Sequence, residues 1–163
     1  MPRTRTLPAY TSYHLLKTTA DSFPDFTGQM YRPAPGKPYE KLRYAQLFQN
    51  VRQVSLGLME LGLATGDRVG LIADVSHRWM WISMGITTIG GVDVPRGTDA
   101  TEDDLRYIFG HAECKIIFLE NAKVFERLRP HLSELRDLET VIFFDLNSEV
   151  KAPGLEILTL SQL

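Results

Sequence analysis

Four short apolar runs recur along the chain at intervals of about 23 to 25 residues, and this repeat restricts the fold more than any other feature of the sequence. The runs occupy residues 68–73, 92–95, 115–119 and 140–144. Each gap is long enough for one helix and two loops, which is the length that a crossover between parallel strands needs. The alternation therefore predicts an α/β fold with a mainly parallel sheet and crossover helices.

Segments with apolar residues at helical spacing fill the gaps and also precede the first run. These segments cover residues 45–61, 76–89, 101–112 and 122–135. Thr101 and Asn121 are suited to cap the last two helices, because their side-chain oxygens can accept hydrogen bonds from free backbone amides. Pro130 lies inside the final segment, so we expect a kink there or a split into two short helices.

The first part of the chain has a different pattern. Residues 11–23 predict a first helix that ends before Pro24. Residues 26–38 are rich in proline and glycine and predict turns with one short strand, and residues 39–44 alternate weakly, as a strand does.

The sequence thus divides into a helix with turns over residues 1–44 and an α/β unit over residues 45–163. Residues 158–163 have the pattern of the opening of another element, which is an awkward place for a domain to finish. We therefore expect the chain to be the incomplete amino-terminal part of a larger domain.

Composition excludes several classes of function. Hydrophobic residues make up 44% of the chain and charged residues 23%, as in ordinary soluble domains. The formal net charge of −2 argues against a nucleic-acid partner, which would require a basic face. Residues 1–44 carry seven basic and three acidic residues, and this mild excess leaves contact with a membrane surface open.

Several features favour a cytoplasmic location. Cys114 is the only cysteine, so no intrachain disulfide or thiol-rich metal site can form. The start of the chain leads into no apolar core of the signal-peptide type. The uncharged apolar run over residues 79–92 is shorter than the roughly 20 residues that cross a bilayer.

The sequence contains none of four common catalytic or cofactor-binding motifs. The chain has no Gly-x-Gly-x-x-Gly turn, no Walker loop, no Gly-x-Ser-x-Gly elbow and no His-Glu-x-x-His helix. Its four histidines are far apart, so we expect no metal site. Two alternatives remain open at this point, namely an α/β protein-interaction module without catalysis and a small nucleotide-binding domain with an unrecognised loop.

One residue is a candidate for binding an anion. Arg96 follows a predicted strand end, and open α/β sheets place their ligand crevices at strand ends. A salt bridge to Asp93 or Asp99 is the competing interpretation. Trp79 opens an apolar helix, where packing is the default role for an aromatic side chain.

A set of ordered motifs resembles the opening of adenylate-forming enzymes, the superfamily of acyl-CoA synthetases, luciferases and peptide-synthetase adenylation domains. The motifs are LRYAQL at 42–47, GLMELG at 57–62, GDRVGLI at 66–72, SHRW at 76–79, GGVDVP at 90–95, DLRYI at 104–108 and AECK at 112–115. Within that superfamily, residues 92–101 look most like the bacterial long-chain fatty acid CoA ligases.

The resemblance implies a two-step reaction in the intact enzyme. A small-molecule carboxylate and ATP form an acyl-adenylate and pyrophosphate, and the acyl group then passes to the thiol of coenzyme A. The phosphate-binding loop with its lysine, the Mg²⁺ site, the ribose-binding acidic residue and the small C-terminal domain would all lie beyond Leu163. The resemblance therefore implies no catalytic and no cofactor-binding residue in this chain, and an inactive isolated piece.

It also implies a structural role for the chain. Its main partner would be the remainder of the same polypeptide, and the helix that contains Trp79 and Met84 would line part of the acyl tunnel. Because a parallel sheet is normally covered and continued by neighbours, the isolated piece is expected to self-associate through exposed strand edges and helix faces.

Overall fold

The computed structural model describes residues 11–146 and 150–163. Its helices are α1 (Ser12–Ser22), α2 (Tyr44–Glu60), α3 (His77–Thr88), α4 (Glu102–His111), α5 (Ala122–Leu128) and a 3₁₀ helix (Arg129–Glu134). Its strands are β1 (Thr27–Tyr31), β2 (Glu40–Arg43), β3 (Arg68–Ile72), β4 (Val92–Arg96), β5 (Ile116–Leu119), β6 (Thr140–Phe143) and β7 (Glu156–Thr159).

Five of the strands form one fully parallel sheet in the order β4-β3-β5-β6-β7, and β1 and β2 form an antiparallel hairpin. The prediction of an α/β fold with a mainly parallel sheet is confirmed. The sequence pattern located β3, β4, β5 and β6, but it placed the last element too late. Residues 158–163 were expected to open an element, whereas β7 already begins at Glu156 and ends at Thr159.

Helices bury both faces of the sheet. Successive side chains on a strand point in opposite directions, so each strand contributes side chains to both faces. Leu71 and Phe118 pack with α2 and α3 on one face, in a cluster that includes Leu58 and Ile82. Ile72 and Ile117 belong to the cluster on the other face, which contains side chains of α4 and α5. The continuous apolar runs of β3, β5 and β6 therefore reflect a sheet covered by helices on both sides.

Side-chain caps fix where the helices begin. The Thr101 hydroxyl accepts a hydrogen bond from the Asp104 amide at 3.1 Å, and the Asn121 side chain accepts one from the Val124 amide at 3.2 Å. Both predicted caps are confirmed. The expected split at Pro130 is also present, since α5 ends at Leu128 and a 3₁₀ helix carries the chain onward.

A close approach between α4 and the centre of the sheet requires a glycine. A Cβ atom at Gly70 would lie 2.8 Å from the ring of Phe109, which is far inside van der Waals contact. The missing side chain on β3 therefore makes room for the Phe109 ring, which is buried between α4 and the sheet.

The two edges of the sheet have few free backbone groups. On β4, the backbone groups of Val92 and Arg96 form hydrogen bonds with β3, so the backbone of Pro95 faces outward. Proline has no N–H group to offer a further strand. The Pro95 carbonyl accepts a hydrogen bond from the Arg96 guanidinium at 2.8 Å. At the other edge, the outward amide of Thr159 donates to the Gln162 side chain at 2.8 Å. Such features disfavour strand addition. Self-association through exposed surfaces stays a prediction.

The elements before α2 form a separate layer against the helices. Leu16 of α1 packs with Leu47 and Val51 of α2, and Met84 of α3 lies against this cluster. Within the described residues, no helix is long and apolar enough to cross a membrane.

The packing of α4 generates a stability prediction. Replacing Phe109 by alanine should lower the free energy of unfolding by about 3 to 5 kcal/mol, because it removes a fully buried ring and leaves a cavity over Gly70. Urea denaturation followed by circular dichroism measures this change. Tyr107→Ala is the matched control, since Tyr107 lies on the same helix but is 68% exposed. Equal losses in the two variants would contradict this packing.

Candidate functional site at the carboxyl edge of the sheet

The chain reverses its winding direction between β3 and β5. From β3 it moves to β4 on one side, and from β4 it crosses back over β3 to β5 on the other side. Doubly wound sheets open a crevice outside the carboxyl ends of the strands at such a switch point. In this protein a crevice of about 210 Å³ lies there, lined by Thr98, Glu120, Asn121, Lys123, Val124 and Arg127.

Carboxylates hold the loops around the crevice. The Asp74 carboxylate, just after β3, accepts hydrogen bonds from the Thr98 amide at 3.1 Å and from the Thr98 hydroxyl at 2.8 Å. The Glu120 carboxylate, just after β5, accepts from the Asp74 amide at 2.8 Å. The ends of β3, β4 and β5 are thus joined by direct hydrogen bonds, and the crevice is formed before any ligand arrives.

The positive charge in the crevice comes from α5. One Arg127 nitrogen donates to the Thr98 carbonyl at 2.6 Å, and another donates to the Ala100 carbonyl. Neither Arg127 nor the exposed Lys123 has a carboxylate partner among residues 11–146 and 150–163. Arg127 is held in place by neutral carbonyls and not by a carboxylate, and the two cations outnumber the single described carboxylate of the crevice, Glu120. This arrangement can bind and orient an anionic group.

Arg96, the residue that the sequence singled out for anion contact, lies at the same edge of the sheet. Its guanidinium bonds to the Pro95 carbonyl. The alternative of a salt bridge to Asp93 or Asp99 is wrong for the described residues, because Arg96 forms no ion pair there and Asp93 instead accepts from the Ser83 hydroxyl at 2.6 Å. Contact of Arg96 with an anion stays a prediction.

Sequence reasoning missed Arg127 and Lys123. The available signal was their position in the first two turns of a helix that Asn121 caps directly after β5. That pattern does not reveal which charges are neutralised by neighbours, because the partners of Arg127 lie 27 and 29 residues away along the chain.

The structure places Trp79 and Met84, the predicted tunnel wall, in different surroundings. Trp79 borders an open groove of about 540 Å³ between β1 and the start of α3, together with Met30 and Val75. Met84 packs toward α1 and α2. Five residues apart on a helix, the two side chains lie on different sides.

Burial shifts the pKa values of two further side chains, Cys114 and His77. Burial raises the pKa of the Cys114 thiol to about 11, so the thiolate that would act as a nucleophile is disfavoured at neutral pH. Burial also lowers the pKa of His77, whose ring stacks on Tyr31 at 3.8 Å. Within the described part of the chain, no three His, Cys, Asp or Glu side chains are grouped to hold a metal ion.

Comparison with known proteins identifies the family. The model of the AMP-binding enzyme family matches residues 16–161, which is most of the chain. This chain belongs to the AMP-binding enzyme family. The resemblance inferred from the motifs is thereby confirmed, and the switch-point crevice is a feature of an AMP-binding family member.

Relatives in this family are acyl ligases. A chloroplastic long-chain-fatty-acid–[acyl-carrier-protein] ligase of Arabidopsis thaliana is 30% identical over 74% of this chain and 17% of its own length. A long-chain-fatty-acid–CoA ligase of Xenopus laevis is 25% identical over 91% of this chain and 20% of its own length. The chain therefore spans about a fifth of the length of these relatives.

Solved structures show the same fold at low sequence identity. Coronafacic acid ligase from Pectobacterium brasiliense superposes with a TM-score of 0.77 at 14% identity, over 94% of this chain and 29% of that one. The anthranilate CoA ligase AuaEII, in complex with anthranoyl-AMP, superposes with a TM-score of 0.72 at 18% identity, over 88% of this chain and 26% of that one. These matches confirm the fold of an AMP-binding ligase domain.

The hydrogen bonds of Asp74 generate a prediction about the crevice. Replacing Asp74 by alanine removes the acceptor for both the amide and the hydroxyl of Thr98, so the loop after β4 should open more often. Hydrogen exchange at the Thr98 amide should accelerate on the order of tenfold, the effect of losing one charge-assisted hydrogen bond. Asp99→Ala removes a carboxylate from the same loop and is the control. Equal exchange in both variants would refute the role of Asp74.

Proposed function

We propose that this chain forms the amino-terminal part of the large domain of an ATP-dependent acyl ligase that acts on long-chain fatty acids. The intact enzyme would join a fatty-acid carboxylate to ATP with release of pyrophosphate, and would then transfer the acyl group to the thiol of coenzyme A with release of AMP. The observation that carries this proposal is the family match over residues 16–161 of a chain that spans about a fifth of its ligase relatives.

The length of the acyl chain rests on the relatives. Two of them are described as long-chain-fatty-acid ligases, while a mitochondrial ligase of Mus musculus, 28% identical over 85% of this chain and 26% of its own length, is described as a medium-chain acyl-CoA ligase. Identity to the Arabidopsis thaliana long-chain ligase (30%) exceeds identity to the medium-chain ligase (28%), although the medium-chain ligase matches more of this chain. Together with the resemblance of residues 92–101 to long-chain ligases, this makes long-chain substrates the primary proposal. Medium-chain substrates are the alternative that a substrate panel resolves.

The described residues do not fit a complete site for ATP and Mg²⁺. They contain no glycine-rich phosphate loop and no cluster of three metal-ligating side chains. We therefore assign the binding of Mg²⁺ and the nucleotide to the remainder of the intact enzyme, and the isolated chain should have no activity. Its own contribution would be to support the rest of the large domain.

Two parts of the chain would contribute to ligand contact in the intact enzyme. The crevice with Arg127 and Lys123 suits a phosphate of the nucleotide or of coenzyme A, because its cations have no carboxylate partners in the described chain. Trp79 borders a groove and is suited to line part of the acyl tunnel. A tunnel role for Met84 requires its contacts with α1 and α2 to open.

Pyrophosphate exchange tests the assignment. The isolated chain should show no carboxylate-dependent exchange of labelled pyrophosphate into ATP, because the groups that hold the phosphates lie elsewhere. The polypeptide from the complete reading frame should show it, with higher rates for long-chain than for medium-chain fatty acids.

Two results would contradict the proposal. Exchange by the isolated chain would show that the reactive groups lie within these residues. Absence of exchange from the complete polypeptide with every carboxylate of the panel would remove the ligase assignment itself.

A further inference from the structure

The β1–β2 hairpin has two chemically different faces. Side chains of paired residues in an antiparallel ladder point to the same side, and the sides alternate along the strands. Tyr31 pairs with Glu40, and Met30 pairs with Lys41. The first pair faces α3, where the Tyr31 ring stacks on His77. The second pair therefore lies on the opposite face of the hairpin, where Met30 borders the groove beside α3.

The inner face anchors the hairpin to the rest of the protein. The Trp81 indole nitrogen donates to the Gln29 side chain at 3.0 Å, and Tyr31 stacks on His77 with 3.8 Å between ring centroids. The Tyr31 hydroxyl also donates to Glu40 at 2.8 Å. These contacts fix the hairpin against α3, so its outer face is a preformed surface.

Three cations of the hairpin and its loop form no ion pair with a described carboxylate. Residues 27–43 contain four basic residues and one acidic residue, and one of the basic residues, Arg43, pairs with Asp25 at 3.2 Å. Arg32 lies over the Tyr39 ring at 4.5 Å, and neither Arg32, Lys37 nor Lys41 forms an ion pair in the part of the chain that the structure describes. The single acidic residue, Glu40, is bound to Tyr31. The charge of this face is complementary to an anionic surface.

Exposed apolar side chains lie beside these cations, and one of them, Val75, is the most exposed of the large hydrophobic side chains in the described residues. Met30 is 53% exposed and Tyr39 is 57% exposed. Val75 follows β3, borders the same groove as Met30 and is 86% exposed. Exposed apolar groups bordered by cations mark an interaction surface better than either feature alone.

We propose that this surface docks on an anionic phospholipid bilayer. We define it as the lipid-docking surface, made of Met30, Arg32, Lys37, Tyr39, Lys41 and Val75. The cations contact anionic headgroups, each contributing about 1 kcal/mol near such a membrane, while tyrosine and the aliphatic groups enter the headgroup boundary. An anionic bilayer would explain both parts of this surface, because its headgroups attract the lysines and its interior accepts the exposed Met30 and Val75. An acidic protein surface would explain the lysines but not the exposed apolar side chains.

Vesicle sedimentation tests the proposal. The chain should bind vesicles of phosphatidylserine and phosphatidylcholine and should not bind vesicles of phosphatidylcholine alone. Lys37→Gln with Lys41→Gln should lower the partition coefficient about 20- to 30-fold, since each lysine near the membrane contributes about fivefold. The control, Arg52→Gln with Arg136→Gln, removes two exposed charges elsewhere and should lower it much less.

A second pair of variants tests the apolar part. Val75→Ser should weaken binding to the anionic vesicles several-fold, whereas Val92→Ser, which changes a 48% exposed valine on β4, should not. Circular dichroism confirms that each variant is folded.

The proposal is overturned if the chain does not bind anionic vesicles. It is also overturned if the lysine variant and its control bind alike. Binding unaffected by Val75→Ser, combined with full competition by soluble polyglutamate, would indicate an acidic protein partner and would equally overturn it.

Discussion

Burial of both faces of the parallel sheet is the constraint on which the rest of the structure depends. β3, β5 and β6 have apolar side chains on both sides, so none of them can lie at a solvated surface. Helices α2 and α3 must cover one face, and α4 and α5 the other. The crossovers that place helices on opposite faces also create the reversal between β3 and β5. The position of the candidate site is therefore a consequence of how the sheet is covered.

The carboxyl edge of the sheet is suited to hold an anion by the way its own charged groups are used. Its carboxylates are used to hold loops, as Asp74 holds Thr98 and Glu120 holds the Asp74 amide. Its cations are held by backbone carbonyls, as Arg127 shows. Such a site can position an anion, and its one lining carboxylate among the described residues, Glu120, is engaged in holding the Asp74 amide. This division of roles supports the proposal that the reactive groups belong to the remainder of a larger enzyme.

Local signals predicted most of the fold. The apolar runs located four strands of the sheet, and Thr101, Asn121 and Pro130 marked helix starts and a break. β7 was placed too late, because an edge strand with half-exposed side chains lacks the continuous apolar run of a central strand.

The site was predictable only in its location. Arg96 was correctly placed at the end of a strand, but the charge of the crevice comes from Arg127, whose carbonyl partners are distant in sequence. The charge on the outer face of the hairpin was also not visible from composition alone. An excess of basic residues in the first 44 positions does not show which of them lack partners until the pairing of β1 with β2 is known.

Amide hydrogen exchange resolved by residue tests most directly whether this chain by itself holds the sheet as an ordered scaffold. Amides in buried central elements exchange only through large-scale opening, whereas those in peripheral elements exchange through local opening. The structure predicts the slowest exchange at the amides of β3, β5 and β6, and faster exchange in the β1–β2 hairpin. Exchange in the three central strands as fast as in the hairpin would contradict the account.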